Sequence, residues 1–229
     1  RDVYKRQLWH ITHEGGEIES PWNAPPEDAW MLTVSPEKAP DQAEDVTLTF
    51  AKGRPTSLNG KKMEAWQIIE SLNAIAGRHG VGRVDLVENR RVGMKSRGLY
   101  ETPGGTVILD GLRALEELVL DRETRHYREH LGLTFAELVY DGRWFTPLRE
   151  ALWAAGEKMA EKIDGEVVVR LYKGRATSIK RQSPHSLYAE KMVSFEGEDV
   201  YSQKDAGGFI RLLSLPERIR ALKGRGEAR

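Results

Sequence analysis

The chain has 229 residues, with 35 Lys+Arg balanced by 35 Asp+Glu, 39% hydrophobic residues and no cysteine. Those figures exclude a disulfide scaffold, a thiolate zinc site and a cysteine nucleophile, and they leave no overall field to gather nucleic acid or an anionic membrane. Roughly 70% of the unfolded surface can be buried at this length, so one domain, or one domain with an arm, needs no covalent staple; no apolar run approaches the ~20 residues that span a bilayer, and a cytoplasmic location is expected.

Residues 1–7 show neither helical nor strand period and predict only an exposed end. Between Ser20 and Asp45 lie Pro21, Pro25, Pro26, Pro36 and Pro40 among many acids, which reads as an irregular surface segment with one short strand near Ala29 to Thr33. Trp9, Trp22 and Trp30 lie in or near it, so it is expected to pack down rather than float as a linker. Val46, Leu48 and Phe50 alternate with Thr47 and Thr49 as a half-buried strand that turns at Lys52-Gly53. Ala65, Trp66, Ile69, Leu72 and Ala76 follow helical spacing up to Gly77 and Gly80. Val84, Leu86 and Val87 read as a buried strand, and the glycine-rich polar stretch from Glu88 to Gly105 as a long functional loop.

Residues 107–130 are helical in composition, and Glu137 to Tyr140 is a short apolar piece before Asp141-Gly142. Thr146 offers an N-cap with Pro147 behind it, opening a helix whose apolar stripe is Leu148, Leu152, Ala155, Met159 and Ile163. Val167, Val169 and Leu171 form a strand joined through Lys173-Gly174-Arg175 to a second near Ala176 to Arg181. Phe209, Ile210, Leu212 and Leu213 precede Pro216 and a basic helical tail with Ile219 and Leu222 on one side. Hairpins mixed with separate helices give the α+β class: an antiparallel or mixed sheet, several packed helices and a C-terminal helical arm.

Short motifs offer little chemistry. Gly60-Lys61 lacks the upstream glycine of a Walker loop, Gly80-Val81-Gly82 lacks the third glycine of a dinucleotide turn, and no serine sits in a nucleophile elbow. The loop Gly93 to Gly98, with Lys95 and Arg97, could hold an anion or simply be an exposed basic loop. His126, Glu129 and His130 match the spacing of inverted zinc peptidases, but no third ligand follows, and no metal site is assigned. His10 and His13 fall on opposite faces of a strand. Lys173, Arg175, Lys180 and Arg181 form a charged hairpin of the kind that protects a sheet edge, and no nucleic-acid role is assigned to them. Glu88 and Tyr100 together could recognise a small zwitterion, the carboxylate accepting from N–H groups and the phenol donating to an oxygen; equally, Glu88 could pair with Arg83, Arg90 or Arg97.

The wording of longer runs carries more. Gly-Val-Gly-Arg-Val-Asp-Leu-Val-Glu-Asn-Arg (80–90) and Gly-Met-Lys-Ser-Arg-Gly-Leu-Tyr-Glu-Thr-Pro-Gly-Gly-Thr (93–106) resemble the argininosuccinate synthase family, as do Phe-Ala-Glu-Leu-Val-Tyr (135–140), Trp-Phe-Thr-Pro-Leu-Arg (144–149), Ser-Pro-His-Ser-Leu-Tyr (183–188) and Asp-Ala-Gly-Gly-Phe-Ile (205–210). The resemblance implies a ligase that joins citrulline to aspartate while ATP, with magnesium, goes to AMP and pyrophosphate. It implies citrulline contacts at Glu88, Tyr100 and Thr12, the last a hydroxyl where many members have serine. The family's Rossmann-like nucleotide half, which carries most ATP and aspartate contacts, has no counterpart in these residues, and neither does a second citrulline serine, whose place falls at Val3. The expected division is therefore a non-family head (1–7), a synthetase domain (8–206) and an oligomerisation arm (207–229), in a C-terminal fragment of a tetrameric enzyme that is inactive without its nucleotide domain. A stand-alone module that binds an amino acid or serves assembly is the other reading.

Overall fold

A computed structural model describes residues 3–193, 202 and 204–225. The chain divides into two compact units, one ending at Leu187 and the other starting at Tyr188. Arg1 and Asp2 of the expected head, and residues 226–229 of the expected arm, lie outside the described residues.

The first unit is α+β with two antiparallel sheets. Its strands are β1 (Val3–Arg6), β2 (Ile11–Glu14), β3 (Glu44–Ala51), β4 (Arg54–Leu58), β5 (Lys61–Lys62), β6 (Arg83–Asn89), β7 (Lys95–Glu101), β8 (Gly165–Tyr172) and β9 (Arg175–Gln182). Its helices are α1 (Ala65–Arg78), α2 (Pro103–Val119), α3 (Arg122–Tyr140) and α4 (Pro147–Ala160). The larger sheet runs β5-β4-β3-β8-β9 and the smaller β1-β2-β7-β6.

The main core lies between the larger sheet and helices α1 and α2. Val46, Leu48 and Phe50 from β3 and Val167, Val169 and Leu171 from β8 meet Ile68, Leu72 and Ala76 of α1 and Val107, Leu115 and Val119 of α2. The period-two reading of β3 and β8 holds, each strand burying alternate residues. Lys52-Gly53 and Lys173-Gly174 turn with positive φ at both positions, as two-residue hairpins require. In α1 the buried stripe passes through Ile68, Leu72 and Ala76, and Trp66 stays exposed on the outer side. The strong apolar character of Trp66 points to the wrong face; the sheet accepts the narrower residues instead.

The helix from Thr146 forms as expected, its hydroxyl accepting from the Arg149 amide. It ends at Ala160, so Ile163 is buried from the segment beyond the helix rather than along its stripe. The helical composition of 107–130 resolves into two helices separated at Leu120-Asp121, where the Asp121 carboxylate caps α3 by accepting from the Thr124 amide at 2.9 Å. Glu137 to Tyr140 is the last turn of that helix.

Three expectations change in the smaller sheet. Residues 3–6 pair with β2 as an edge strand, although their sequence shows no period, because β2 presents a free edge for backbone pairing. The stretch 88–105 is a β-hairpin and a helix start rather than a loop: Arg83–Asn89 pairs antiparallel with Lys95–Glu101 through a turn closed by the Arg90 amide on the Met94 carbonyl at 2.8 Å. Strand β6 forms where expected but is not buried, Val84 being 44% exposed, since it lies at the sheet edge.

The strand expected at Ala29 to Thr33 is absent. Glu27–Ala29 is a single 3-10 turn, and the amides that a strand would use go elsewhere. The Met31, Leu32 and Thr33 N–H groups donate to the Glu101 carboxylate at 2.7 to 2.9 Å, and the Thr33 hydroxyl adds a fourth bond at 2.7 Å. A carboxylate has about four acceptor sites and here replaces a neighbouring strand as the partner of consecutive backbone donors. The proline-rich segment therefore packs down, Ile18, Ala29 and Trp30 closing on Leu99 of β7. Arg97 fastens its earlier part by donating to the carbonyls of Ile18, Ser20 and Asn23. Trp22 nonetheless stays outside, 96% exposed.

Asn73 on α1 joins the two sheets' surroundings. Its amide donates to the Leu8 carbonyl ahead of β2 and its oxygen accepts from the Gly104 amide just after β7. The site strands are thus anchored to the main core rather than left as a separate layer.

The second unit contains α5 (Glu190–Val193), α6 (Lys204–Leu213) and α7 (Leu215–Gly224), with Pro216 in the first turn of α7. Phe209, Ile210, Leu212 and Leu213 are all more than half exposed on α6.

Replacing Glu101 by Leu leaves three consecutive N–H groups without their acceptor. The Thr33 amide and hydroxyl are buried and the other two amides partly so; with about 1–3 kcal/mol for each buried donor left unsatisfied, urea denaturation of Glu101→Leu should show a loss of about 2 kcal/mol or more, with faster amide exchange at residues 31–33.

Candidate functional site

Strand β7 is an inner strand of the smaller sheet, with β2 on one side and β6 on the other. Its alternate residues divide the labour. Arg97, Leu99 and Glu101 face the packed segment of residues 15–35, whereas Ser96, Gly98 and Tyr100 share the opposite face with their partners in register: Thr12 stands across from Tyr100, Glu14 from Gly98, and Glu88 from Ser96. Pairing therefore gathers the three residues implied by the resemblance, Thr12, Glu88 and Tyr100, on one face.

Tyr100 and Glu88 meet directly, the phenol donating to Glu88 Oε2 at 2.8 Å. They are not opposite each other, and what lets them touch is Gly98. A Cβ at that position would lie 2.9 Å from Tyr100 Cε2 and 3.2 Å from its oxygen, so the ring lies along the strand over the glycine and reaches the carboxylate. A glycine in a strand interior often marks such a close approach. Thr12, across from Tyr100 in register, is buried, and the His10 ring stands 6.0 Å from that of Tyr100.

Of the alternatives open for Glu88, the structure selects Arg90, at 3.4 Å from Nε to Oε1. Arg83 instead pairs with Glu27, and Arg97 with Asp85 at 2.6 Å. The basic loop considered as an anion site is accordingly occupied: Arg97 is neutralised by Asp85, and Lys95 donates to Asn89. Three further groups complete the face: Glu14, Ser96 and Lys5. Arg90 reaches Glu14 at 2.7 Å, Lys5 reaches the same carboxylate at 3.2 Å, and Ser96 lies between Arg90 and Glu88. Reading 88–105 as a loop hid Ser96, and with it the register that brings Glu14 to the same face. Read as a strand, Ser96, Gly98 and Tyr100 alternate toward one face and would have named it.

The electrostatics follow from these contacts. Burial pushes the Tyr100 phenol up, and the hydrogen bond and negative charge of Glu88 push it further, so it remains a protonated donor well into the alkaline range. For Glu14 burial works upward, but hydrogen bonds and charge from Lys5 and Arg90 together hold the carboxyl below the ordinary Glu value. Arg90 is raised in turn, first by its bond to Glu14. The face thus presents two carboxylates, the Arg90 guanidinium, the Lys5 ammonium and a neutral phenol, 24% of the Glu88 side chain remaining exposed. Tyr100 and Ser96 occupy only part of the Glu88 lone pairs, so N–H groups of a ligand can still be accepted there.

Elsewhere, His126 and His130 sit on α3, and among the described residues no group of three His, Cys, Asp or Glu side chains could hold a metal ion. In the charged hairpin Arg181 pairs with Glu117 and Lys173 with Asp41. No helix among the described residues is long and apolar enough to cross a membrane.

Sequence comparison matches residues 4–220 to the family described as Arginosuccinate synthase C-terminal domain. The argininosuccinate synthase of Shewanella pealeana is 56% identical over 222 residues, 96% of this chain and 54% of that protein. That of Shewanella woodyi is 55% identical over 225 residues, 97% of this chain and 55% of that protein. The chain spans about half the length of these curated relatives.

The Tyr100 phenol has a folded pKa above the unfolded value of 10.0, so its contribution to stability is complete below that pH and is lost as pH climbs through the raised value. Subtracting the 295 nm absorbance titration of Tyr100→Phe from that of the native chain should reveal no tyrosinate from this residue at pH 10.

Proposed function

The chain belongs to the argininosuccinate synthase family through its C-terminal domain, and from that premise we propose that the face formed by Thr12, Glu88 and Tyr100 binds citrulline as part of an ATP-dependent ligase of arginine biosynthesis. The observation that carries the reading is the direct contact of Tyr100 with Glu88 beside Thr12, on a partly exposed face. Glu88 accepts from N–H groups of the amino acid and Tyr100 fixes the carboxylate that does so. The buried Thr12 hydroxyl limits the depth of the site. These groups bind and orient, which is the protein's principal contribution where a substrate must be held for attack on a second molecule.

The family's reaction uses ATP and magnesium. The part proposed for these residues is confined to the amino acid, with the nucleotide and aspartate contacts placed in the portion of the relatives that this chain does not span. We further propose a cytoplasmic location, and a tetramer in which α6 and α7 carry the contact, because four large apolar side chains on α6 are otherwise left in water.

Citrulline binding to the chain, measured by equilibrium dialysis, should weaken roughly ten- to hundredfold in Glu88→Gln, from about 1.5–3 kcal/mol for a hydrogen bond to a charged group. Unchanged affinity would remove the site assignment. With magnesium, ATP, citrulline and aspartate supplied, the chain alone should release no pyrophosphate above background in a coupled assay. Truncation after Gly208 should lower the mass measured by light scattering; a mass that stays tetrameric would count against α6 and α7 as the contact.

A further inference from the structure

We propose that Arg90 and Ser96 are positioning residues that hold the Glu88 carboxylate in the orientation from which it accepts the ligand. The inference rests on the citrulline reading of Glu88 and Tyr100.

Arg90 starts from a fixed place, because its own amide and carbonyl close the β6–β7 turn through Met94 and Gly93. From there the guanidinium reaches back along the face. Nε donates to Ser96 Oγ at 2.8 Å and lies 3.4 Å from Glu88 Oε1, while the terminal nitrogen donates to Glu14 Oε2 at 2.7 Å. Ser96, having accepted from Arg90, donates onward to Glu88 Oε1 at 3.3 Å. The other Glu88 oxygen accepts from Tyr100. Each oxygen is therefore held by a different strand position, and rotation of the carboxylate breaks both holds.

Glu88 is a long side chain on an edge strand, and with Tyr100 alone it would keep rotamers that point away from the face. Ordering such a chain on binding weakens affinity, whereas holding it beforehand does not. Arg90 also ties β2 to β6 across β7 through Glu14, which a single charge could not do. The planar fork of arginine suits this task, and a lysine ammonium does not reproduce it.

The Tyr100 phenol gives a readout independent of citrulline. The groups facing it are Glu88, Glu14, Arg90 and the His10 ring. Burial, Glu88 and Glu14 push it up, and the Arg90 charge pulls it down. Removing that charge without moving Glu88 would raise the phenol further; releasing Glu88 from the phenol lowers it. The sign separates positioning from plain charge.

The experiment uses the full chain with Ser96→Ala, Arg90→Gln and Arg90→Lys, each also combined with Glu88→Gln, and thermal melts confirm folding. Ser96→Ala removes one oxygen and is the variant least able to disturb the fold. Tyrosinate from Tyr100 should appear at lower pH in Ser96→Ala and Arg90→Gln than in the native chain. L-citrulline affinity should fall about two- to tenfold in Ser96→Ala and roughly tenfold or more in Arg90→Gln, with Arg90→Lys failing to restore it. In the Glu88→Gln background these losses should vanish, as expected for residues acting through one partner. A phenol that moves up or stays put in both variants, or affinity losses that persist without the Glu88 carboxylate, would overturn the proposal. If Glu88→Gln alone leaves citrulline affinity unchanged, the substrate reading fails, and the phenol titration still decides the positioning.

Discussion

Glu101 is the residue on which the smaller sheet's arrangement turns. Its carboxylate, 2% exposed, gathers three successive amides and a hydroxyl from residues 31–33. A buried carboxylate without such donors would be costly, and so would the buried Thr33 amide and the partly buried Met31 and Leu32 amides without an acceptor; each solves the other's problem. Because Glu101 adjoins Tyr100, the contact that pins the proline-rich segment also fixes the end of the strand that carries the phenol. Arg83 reinforces the junction by donating to the Thr33 hydroxyl and carbonyl while its guanidinium lies 4.8 Å over the Trp30 ring.

The main core contributes from the other side. Strand β7 runs into α2, which packs with α1 against β3 and β8, and Asn73 ties the start of α2 to the approach of β2. The face that bears Glu88 is thus anchored at the Glu101 end of β7 from two directions, the proline-rich segment and the main core. It lies on hydrogen-bonded strands rather than on a loop, consistent with binding groups that need their orientation set in advance.

Much of this was legible in the sequence where local pattern and tertiary role agree. Alternation in Val46-Leu48-Phe50 and Val167-Val169-Leu171, the X-Gly turns and the Thr146-Pro147 helix start all report short-range physics, and all appear in the fold. The misreadings occur where a distant partner decides. Met31 to Thr33 has strand composition, but its amides are taken by a side chain about seventy residues away. Lys95 to Glu101 is polar with a glycine inside it, and nothing local reveals that it pairs on both edges. Glu88 and Tyr100 were candidates on residue chemistry, with Arg90 one of three possible partners, and Thr12 was reached through family wording; Glu14 and Ser96 join them only once the register is known.

Since β7 sends successive side chains to different tasks, its last six positions, 96 to 101, form two interleaved texts. One, at 97, 99 and 101, is addressed to the protein's own interior; the other, at 96, 98 and 100, to whatever arrives from outside. An inner strand lets these be edited separately, because the backbone ladder that aligns them is indifferent to side chains. Recognition can therefore drift at one set of positions while the fold is conserved at the other, with Gly98 the exception: having no side chain, it belongs to the outward text as a blank space that must stay blank.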